Sequence, residues 1–470
     1  MVPQYVIDYI LKTKLITRHH TQVTEKAVYV LVSLEQNISY LYNAIANGAK
    51  YAIVSREIYL KIVQKGYNCE VIPVDNPAKF WAYAASLLYP QIPKIITTLT
   101  GTSGKTSVAY MYIQAVSLIT CEKALYIGTL GAIEIGEKDT KITDTLTTPD
   151  AMDLRKILSQ VECKYACIES SSHGIEQSRI DYIPFKVAAF TNLSPEHLDY
   201  YKDIESYFDA KKRLFTDHNI DNLVLNYDDQ YSQKLIEICQ EKNIITYGKN
   251  GNLQVIDHIP GHNFSLKIND IIQIINWQIP GIHNLYNIIC VIGMLMQTGF
   301  KINEILPIID RISLPQGRME KIMKDNLEIF IDYAHKPNAL EAVLQSLMQY
   351  RNATKKGQLW IVFGCGGNRD AEKRSIMGGI AGRLADKIIV TDDNPRYEDP
   401  QSIRDAIISG IKSDYIEIGD RQSAIEFTIK NSDKNDIILI AGKGHENYQI
   451  IGDKKIDFSD LEVVKNINKD

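Results

Sequence analysis

A glycine-rich stretch, Gly101–Thr106 with the sequence GTSGKT, joins an apolar run to a segment with helical periodicity. Backbone N–H groups in such a turn and at the start of a helix attract phosphate groups. Lys105 could reach the terminal phosphates of a nucleotide, and the Thr106 hydroxyl is a suitable ligand for Mg²⁺. The usual P-loop has a further glycine five residues before Gly104, where this chain has Leu99. We therefore predict a variant phosphate-binding loop rather than a tight turn with an exposed lysine.

A second polar cluster, residues 169–181 with the sequence ESSSHGIEQSRID, follows a predicted strand at 165–169. Glu169 therefore lies near the carboxyl end of a strand, where α/β folds gather ligands. Its carboxylate could hold the metal ion of a bound nucleotide, and the serines with Arg179 could hold an anionic substrate. The same residues are equally compatible with a polar helix cap, so the residue types leave both interpretations open.

A third cluster occupies residues 192–200, with the sequence NLSPEHLDY. The pattern predicts a helix that starts at residue 194 or 195, with His197 and Asp199 in its first turns. The paired lysines Lys211 and Lys212 follow in the next segment. A histidine and two lysines on an amphipathic segment most often form a solvated face, and the residues alone do not distinguish Lys211 from its neighbour.

Three polar loops in the last third of the chain each come directly after an apolar run, at residues 364–370, 392–396 and 442–446. If those runs are parallel strands, all three loops lie at one edge of a sheet. Two arginines and two acidic residues there could bind a zwitterion, since guanidinium groups bind carboxylates and carboxylates bind ammonium groups. Ordinary turns also use Gly, Asp and Asn, so one such loop is weak evidence. The three together favour a ligand pocket.

The elements that must position these clusters alternate along the chain, since short apolar runs are separated by helical stretches. This alternation is typical of an α/β protein, and fully apolar strands predict parallel sheets covered on both faces. We predict domain boundaries near residues 88 and 312, with a linker at Pro90 and Pro93. Strands are predicted at 27–34, 51–55, 94–100, 165–169, 186–190, 223–225, 329–333, 359–364, 387–392 and 436–442, and helices at 41–50, from Lys105, and from Asn287 towards Gly299.

The length of 470 residues allows two or three domains. Hydrophobic residues make up 45% and charged residues 23%, and the net charge of −5 argues against a general nucleic-acid binder. Seven scattered cysteines without CxxC pairs fit a reducing compartment. With no signal-peptide pattern and no apolar run of about 20 residues, we expect a soluble cytoplasmic protein.

Several motifs, taken in order along the chain, resemble those of the Mur ligases, the ATP-dependent amide-forming enzymes of peptidoglycan synthesis. The resemblance runs from the phosphate-binding loop, which in that family also lacks the early glycine, to residues 457–460. It therefore covers most of the chain. The motifs are GTSGKTS, ESSSHGIEQSRID, NLSPEHLDYY, PGIHNLYN, QGRME, DYAHKPNAL, FGCGGNRD, DDNPR and GKGHENYQ.

The motifs look most like those of the branch that adds the third residue of the peptide. This resemblance implies an enzyme that uses ATP to join meso-diaminopimelate to the D-glutamate of UDP-N-acetylmuramoyl-L-alanyl-D-glutamate through an acyl phosphate. It implies a UDP-substrate-binding α/β domain at 1–88, a central P-loop ATPase-like domain at 89–311 and a C-terminal Rossmann-like domain for the amino acid at 312–470. The implied partners are these small molecules, and we expect a monomer that binds neither nucleic acid nor membrane.

The resemblance also assigns site residues. The implied catalytic residues are Lys105, Glu169, His197 and Lys211. The implied Mg²⁺ ligands are Thr106, Glu169, His197 and Lys211, the last as a carbamate formed with CO₂. Contacts to ATP are implied for Gly101, Thr102, Ser103, Gly104, Lys105, Thr106, Ser107, Asn284, Asn287, Arg318, Asp332 and His335. Contacts to the UDP-muramoyl peptide are implied for Thr147, Thr148, Ser171, Gln177 and Arg179. The implied amino-acid pocket consists of Arg369, Asp393, Asn394, Pro395, Arg396, Gly442 and Glu446.

Two segments depart from the family pattern. Thr17-Arg18 replaces the usual Ser-Arg pair and the following strand lacks its glycine, which leaves the uridine contacts unassigned. The final FSDLE lacks the usual arginine before its glutamate. Rival interpretations are another ligase of this fold, such as a folylpolyglutamate synthase or a different Mur ligase, a nucleotide-binding regulatory module, and a P-loop kinase. The DNPR loop and the SSHG segment oppose the first, the intact site residues oppose the second, and Leu99 with the C-terminal block opposes the third.

Overall fold

The structure, a computed structural model, describes residues 2–32, 37–62, 67–197, 200–324 and 326–467. It divides into two compact units, Met1–Tyr247 with Cys290–Ile305, and Gly248–Ile289 with Leu306–Asp470. Both units are built from sheets covered by helices, so the predicted α/β class is confirmed. Among the described residues, no helix combines the length and apolar character needed to cross a membrane.

The first unit begins with a four-stranded parallel sheet in the order β1-β2-β3-β4. Strands β2 and β3 are buried along their whole length because helices pack on both faces, which explains their continuous apolar sequence. A short 3₁₀ helix, His20–Gln22, precedes β2. The elements are α1 (Gln4–Thr13), β1 (Ile16–Thr17), β2 (Val28–Val30), α2 (Ile38–Ala46), β3 (Tyr51–Ser55), α3 (Arg56–Ile62), β4 (Glu70–Val74) and α4 (Pro77–Leu88).

The same unit contains a larger sheet in the order β12-β11-β10-β5-β9-β6-β7-β8. The six strands from β12 to β6 are parallel, and β7 and β8 add an antiparallel edge. The elements are β5 (Ile95–Thr100), α5 (Lys105–Thr120), β6 (Ala124–Gly128), β7 (Gly131–Ile135), β8 (Thr140–Thr143), α6 (Ala151–Gln160), β9 (Tyr165–Glu169), α7 (Ser172–Glu176), β10 (Phe185–Phe190), α8 (Ile204–Thr216), β11 (Asn222–Asn226), α9 (Gln230–Ile238), β12 (Asn243–Gly248), α10 (Ile282–Thr298), of which this unit holds the residues from Cys290 on, and α11 (Ile302–Ile305).

The second unit contains a three-stranded antiparallel sheet and a six-stranded sheet in the order β16-β17-β21-β18-β19-β20. All strands of the latter are parallel except β16. A 3₁₀ helix, Leu306–Arg311, precedes it. The elements are β13 (Leu253–Ile259), β14 (Asn263–Ile268), β15 (Ile271–Asn276), β16 (Glu320–Lys324), β17 (Leu327–Asp332), α12 (Pro337–Thr354), β18 (Leu359–Phe363), α13 (Glu372–Leu384), β19 (Lys387–Val390), α14 (Pro400–Ile408), β20 (Ile416–Glu417), α15 (Arg421–Asn431), β21 (Ile437–Ala441), β22 (Tyr448–Ile451), β23 (Lys454–Asp457) and α16 (Asp460–Asn466).

Most predicted strands are present within one to three residues of their expected bounds. The strand predicted at 27–34 is shorter, and residues 33 and 34 lie outside the described part of the chain. The helix predicted at 41–50 spans Ile38–Ala46, because the Asn37 side chain caps it by accepting a hydrogen bond from the Ser39 N–H at 2.9 Å. The helix predicted from Asn287 begins earlier, at Ile282.

The prediction of a helix from residue 194 or 195 is wrong. Residues 191–197 form no helix, and His197 has a left-handed backbone with a φ of 58°. Such a conformation is incompatible with a right-handed helix. The helix α8 starts only at Ile204, where the Asp203 side chain accepts a hydrogen bond from the Ser206 N–H at 2.8 Å. Asp199, expected in the first turns, lies outside the described residues.

Candidate active site

The predicted phosphate-binding loop connects β5 to α5 at the centre of the larger sheet of the first unit. Gly101 has a φ of 149°, and a Cβ atom there would lie 2.0 Å from Thr191 Oγ1. Gly104, with a φ of 86°, begins α5. Asn192 holds the loop from the neighbouring strand end, since its backbone oxygen accepts from the Thr102 N–H at 2.8 Å. The loop is therefore held tightly against the end of β10.

Thr106 and Glu169, two predicted metal ligands, are in direct contact. The Thr106 hydroxyl donates to Glu169 Oε2 at 3.0 Å. The contact follows from topology, because β5 and β9 pair in parallel with Leu99 opposite Glu169. A hydroxyl and a carboxylate are hard oxygen donors of the kind that Mg²⁺ prefers. The donor set at this position therefore fits the metal ion that the Mur ligase resemblance implies.

The other oxygen of Glu169 accepts hydrogen bonds from the Tyr126 hydroxyl and from the Thr129 N–H, the latter at 3.1 Å. Burial, together with the charge of Glu169, raises the pKa of Tyr126 well above its ordinary value. The phenol therefore remains a hydrogen-bond donor and fixes the carboxylate. Sequence reasoning missed Tyr126, because a tyrosine within an apolar strand gives no signal of its own.

Lys211 is buried, whereas Lys212 is partly exposed, with 32% of its side-chain surface accessible. The Lys211 ammonium donates to the Gly101 carbonyl at 2.8 Å and lies 4.5 Å from the centre of the Tyr207 ring. Lys212 Nζ instead pairs with Asp209 at 2.5 Å. Burial, reinforced by the charge of Lys105, lowers the pKa of Lys211 well below its ordinary value. The fold thus distinguishes two lysines that the sequence could not.

His197 lies in the loop after β10, and its side chain is 45% exposed. Its ring centre is 6.0 Å from that of Tyr207, which also contacts Lys211. The ring of His173 lies 5.3 Å away on another side. Within the described ranges, no three His, Cys, Asp or Glu side chains are grouped as a metal site. The predicted ligand set has only two residues of those types, and its metal-binding role stays a prediction.

Four of the five residues predicted to contact the muramoyl peptide form one hydrogen-bonded network, and the fifth, Thr147, is connected to it through Thr129 and Glu169. The hydroxyls of Thr148 and Ser171 are 3.0 Å apart, and Thr148 Oγ1 also accepts from the Ser171 N–H at 2.9 Å. Arg179 donates to the Thr148 carbonyl at 2.8 Å and to Gln177 Oε1 at 2.6 Å. Thr148 Oγ1 donates to the Glu169 carbonyl at 2.8 Å, and Thr147 bonds at 3.1 Å to Thr129, whose N–H donates to the Glu169 carboxylate. Glu169 therefore connects Thr147 with the other four residues.

A cavity of about 750 Å³ lies in the first unit beside Gln177 and Arg179. Asp150 organises its wall, pairing with Arg18 at 2.8 Å and accepting from Trp81 Nε1 at 2.7 Å. The cavity is also lined by His20 and Tyr40, whose rings stack 4.5 Å apart. Sequence reasoning noticed Arg18 but missed these partners, which lie far apart in the chain and belong to no shared motif.

Five of the residues predicted to contact ATP lie in the second unit, namely Asn284, Asn287, Arg318, Asp332 and His335, which we call the nucleotide-side residues. Asp332 accepts from the Met319 and Ala334 N–H groups at 2.8 Å each, and burial raises its pKa. Arg318 lies 5.0 Å from the Tyr333 ring, and its Nε is buried with no hydrogen-bond partner among the described residues. A buried N–H group without a partner in the protein is suited to donate a hydrogen bond to an acceptor atom of a bound ligand.

The remaining three nucleotide-side residues are held by local contacts or by burial. His335 Nδ1 lies 2.8 Å from the Tyr333 carbonyl, and burial lowers the pKa of His335. Asn284 donates to the Pro280 carbonyl at 2.8 Å, and Asn287 is buried. The binding of ATP by these residues stays a prediction.

The three C-terminal loops lie at one edge of the six-stranded sheet, as predicted, because they follow the parallel strands β18, β19 and β21. Asn394 donates to Glu446 Oε2 at 3.0 Å, which joins the second loop to the third. Arg396 has a φ of 53° and donates to the Gly367 carbonyl at 2.9 Å, which joins the second loop to the first. Arg369 is exposed.

Backbone geometry determines how closely the loops that carry Asp393, Pro395 and Gly442 approach one another. A Cβ atom on Gly442 would lie 3.0 Å from Asp393 Oδ2, and a Cβ atom on Gly367 would lie 1.9 Å from the Pro395 carbonyl. The glycines therefore allow the loops to approach one another closely. The sequence analysis did not select Lys443, whose buried side chain contacts Asp393, Asn394 and Glu446. Its position beside Gly442, directly after an apolar strand, could have indicated a pocket residue.

Comparison with known proteins identifies two family domains. Residues 99–295 match the Mur ligase middle domain, and residues 317–444 match the Mur ligase glutamate ligase domain. The chain is 41% identical over 434 residues to the UDP-N-acetylmuramoyl-L-alanyl-D-glutamate–2,6-diaminopimelate ligase of Rickettsia montanensis, covering 90% of this chain and 86% of that relative. It is 37% identical over 456 residues to the ligase of the same name from Fusobacterium nucleatum, covering 94% and 91%.

A solved structure of a UDP-N-acetylmuramoyl-L-alanyl-D-glutamate–2,6-diaminopimelate ligase superposes with a TM-score of 0.70 at 29% identity, covering 96% of this chain and 93% of that one. Escherichia coli FolC in complex with DHPP and ADP superposes with a TM-score of 0.59 at 13% identity, covering 78% and 89%. At so low an identity, the second likeness concerns the fold alone.

Proposed function

Because the chain belongs to the Mur ligase family, we propose that it uses ATP to join 2,6-diaminopimelate to the D-glutamate of UDP-N-acetylmuramoyl-L-alanyl-D-glutamate. The likeness to relatives of that name extends over nine-tenths of the chain. The observation that carries the proposal is the buried Thr106–Glu169 contact beside the loop that holds Lys105. It joins metal-binding oxygens to a phosphate loop, as an ATP-dependent ligation requires.

The reaction must activate a carboxylate, which is a poor acyl donor. Transfer of the γ-phosphoryl group of ATP to the γ-carboxylate of D-glutamate gives an acyl phosphate and ADP. The amine of diaminopimelate then attacks the acyl carbon, phosphate leaves, and the amine loses a proton. No nucleophilic side chain is needed, so catalysis rests on positioning and electrostatic stabilisation.

In this proposal the phosphate loop and the Thr106–Glu169 pair provide most of the electrostatic stabilisation of the phosphoryl groups. The backbone N–H groups at the start of α5 would bind the phosphates, and Lys105 adds a positive charge from the first turn. Thr106 and Glu169 would hold Mg²⁺, which neutralises phosphoryl charge when bound. Tyr126 and Thr129 keep the Glu169 carboxylate in place. These groups are arranged before substrate binds, which lowers the cost of reorganisation.

Lys211 enters the proposal as a carbamate. A neutral lysine amine adds CO₂ and loses a proton, which gives an anionic group with two oxygen atoms. The buried environment of Lys211, whose pKa is lowered, favours the neutral amine that this reaction needs. The carbamate oxygens would suit Mg²⁺ as the oxygens of a carboxylate do. The nearby His197 would complete the ligand set.

We further infer that three domains bind different substrates. Residues 1–88 bind the UDP-substrate, residues 89–311 bind ATP and residues 312–470 bind the amino acid. The first sheet is separate from the larger one, and its cavity with Arg18 and Arg179 fits an anionic nucleotide. Since ATP and UDP-linked sugars are the substrates, we infer a cytoplasmic enzyme. A monomer is expected and can be checked by light scattering.

The experiment that tests this function measures ATP-dependent phosphate release with the UDP-muramoyl dipeptide and a panel of amino acids. We expect release with meso-diaminopimelate and only slow release with L-lysine, D-alanine or L-glutamate. Omission of the dipeptide should abolish release. Equal rates with lysine, or release with folate substrates in place of the dipeptide, would contradict the proposal.

A further inference from the structure

Lys443 is a buried cation that takes no part in the reaction proposed above. It follows β21, and its side chain has no exposed surface. Its Nζ lies 3.2 Å from Asn394 Oδ1, 3.3 Å from Glu446 Oε2 and 3.5 Å from Asp393 Oδ1. An ammonium has three N–H donors, so these three oxygens satisfy all of them. All three belong to the predicted amino-acid pocket.

The same ammonium joins two loops that are not neighbours in the sheet. Asn394 follows β19 and Glu446 follows β21, and β18 lies between these strands. Asn394 Nδ2 also donates to Glu446 Oε2 at 3.0 Å, and Asn394 Oδ1 accepts from the Ile450 N–H at 2.9 Å. Lys443 thus fixes the orientation of the Asn394 amide and of the Glu446 carboxylate together. Without it, the oxygens of three side chains would face one another around an empty position.

The charges around Lys443 do not cancel. Asp393 and Glu446 are two carboxylates against one ammonium, which leaves one net negative charge. Arg421, a further buried cation, forms two hydrogen bonds of 2.8 Å with Asp460, and its other described hydrogen bonds go to backbone carbonyls. Asp393 and Glu446 help to raise the pKa of Arg421 but make no described hydrogen bond to it, so its charge is balanced first by Asp460.

Arg396 supplies the opposite charge in the same pocket. Its NH1 donates to the Gly367 carbonyl at 2.9 Å and to the Asn394 carbonyl at 3.4 Å. Among the residues that the structure describes, no carboxylate pairs with its guanidinium. The pocket therefore offers one uncompensated negative and one uncompensated positive charge, which matches an end group that carries both an ammonium and a carboxylate.

We propose that Lys443 is a positioning residue that makes this pocket select an amino acid with a zwitterionic end over one with a cationic end. The proposal rests on the proposed function, because it takes the pocket to receive diaminopimelate. Without the ammonium, two carboxylates face the single guanidinium of Arg396. The resulting charge of −1 favours the side chain of lysine, which ends in an ammonium alone.

The test compares the wild type with Lys443→Met, which keeps the length of the side chain and removes its charge. Phosphate release is measured with saturating UDP-muramoyl dipeptide and varied meso-diaminopimelate, L-lysine or ATP. We expect the KM for diaminopimelate to rise by about tenfold or more and the KM for ATP to stay unchanged. The ratio of kcat/KM for diaminopimelate to that for lysine should fall by about tenfold or more. The exposed lysine variant Lys412→Met should match the wild type.

A second variant separates selectivity from folding. Lys443→Gln retains N–H donors for the loop oxygens but has no charge, so its selectivity ratio should also fall even if its KM rises less. Thermal unfolding and the KM for ATP report whether each variant is folded. A structural role alone would lower the amount of active enzyme and leave the selectivity ratio unchanged.

The outcomes distinguish this proposal from the function on which it rests. If the wild type prefers diaminopimelate and every folded Lys443 variant, Lys443→Gln as well as Lys443→Met, keeps the same ratio, the role of Lys443 is overturned and the function stands. If the wild type releases no phosphate with diaminopimelate, the function fails and the selectivity proposal fails with it. A fall of the ratio in either folded variant supports the proposal.

Discussion

Lys105 and Lys211 both donate to the carbonyl of Gly101, at 2.9 Å and 2.8 Å. Two ammonium groups on one carbonyl repel each other, and burial adds a desolvation cost for Lys211. The pKa of Lys211 is accordingly lowered, first by burial and then by Lys105. Conversion of Lys211 to a carbamate would turn this repulsion into attraction. At the scale of single residues, the two lysines therefore have different predicted roles.

Lys105→Ala should leave the fold intact and lower turnover by about 10²–10³-fold, the loss typical of removing one charge-stabilising group. The reason is that the loop would lose the positive charge in the first turn of α5. Steady-state phosphate release measures the effect, and the exposed Lys156→Ala in the same unit is the control. Turnover within about tenfold of the wild type, roughly 1.4 kcal/mol, would show that the phosphates bind elsewhere.

Lys211→Ala should be nearly inactive, whereas Lys212→Ala should be close to normal because the partly exposed Lys212 pairs with Asp209 on its own helix. A short carboxylic acid added to Lys211→Ala should partly restore phosphate release by supplying the missing oxygens. Wild-type activity should fall in CO₂-depleted buffer and recover with bicarbonate. Equal activity of Lys211→Ala and the wild type in both buffers would disprove the carbamate.

At the scale of elements, the site depends on which strands are neighbours. β5 lies between β9 and β10, so the phosphate loop is bordered by Glu169 on one side and by Thr191 and Asn192 on the other. The close approach at Gly101 is one consequence, since a Cβ atom there would lie 2.0 Å from Thr191 Oγ1. The loop has room only for glycine at this position.

Gly101→Ala should therefore lower stability and nucleotide affinity more than Gly299→Ala does. Both glycines have a positive φ, so both variants incur backbone strain of about 1–3 kcal/mol. At Gly101 the new Cβ atom would also clash with Thr191, which adds an overpacking cost of about 1–3 kcal/mol. At Gly299 nothing lies within 4 Å of a Cβ atom, so this cost is absent. Chemical unfolding and ATP binding measure the difference. Indistinguishable losses in the two variants would mean that the loop can move away from Thr191.

Local patterns predicted the elements well where burial on both faces makes a strand fully apolar. The strands at 51–55 and 165–169 have the predicted bounds for this reason. The helix predicted from residue 194 does not form, because His197 has a positive φ in the folded protein. No local sequence pattern encodes that conformation. The Arg18–Asp150–Trp81 contacts were missed because their partners are up to 132 residues apart in sequence, and only the fold brings them together.

At the scale of the whole molecule, the buried amine of Lys211 links stability to pH. The pKa of Lys211 in the folded protein is well below its ordinary value, so the unfolded chain binds one more proton between the two values. In CO₂-depleted buffer, wild-type stability should therefore rise with pH across that window and fall as the pH drops through the folded-state pKa.

The variant Lys211→Met lacks this titration, so its stability should depend less on pH over the same range. Urea unfolding at several pH values between about 7 and 10 measures both slopes. Parallel slopes for the wild type and Lys211→Met would contradict the depressed pKa. The variant should also be at least as stable as the wild type at pH 7, because it buries no amine.

In the proposed reaction, the protein activates the substrate carboxylate as an acyl phosphate. A direct test of this step uses UDP-muramoyl dipeptide that carries ¹⁸O at both oxygens of the γ-carboxylate of D-glutamate, together with ATP and meso-diaminopimelate. Mass spectrometry of the products should find one ¹⁸O atom in each phosphate released and one retained in the new amide of the tripeptide. Tripeptide formed together with phosphate free of ¹⁸O, the lost label being found in AMP or water instead, would contradict this account.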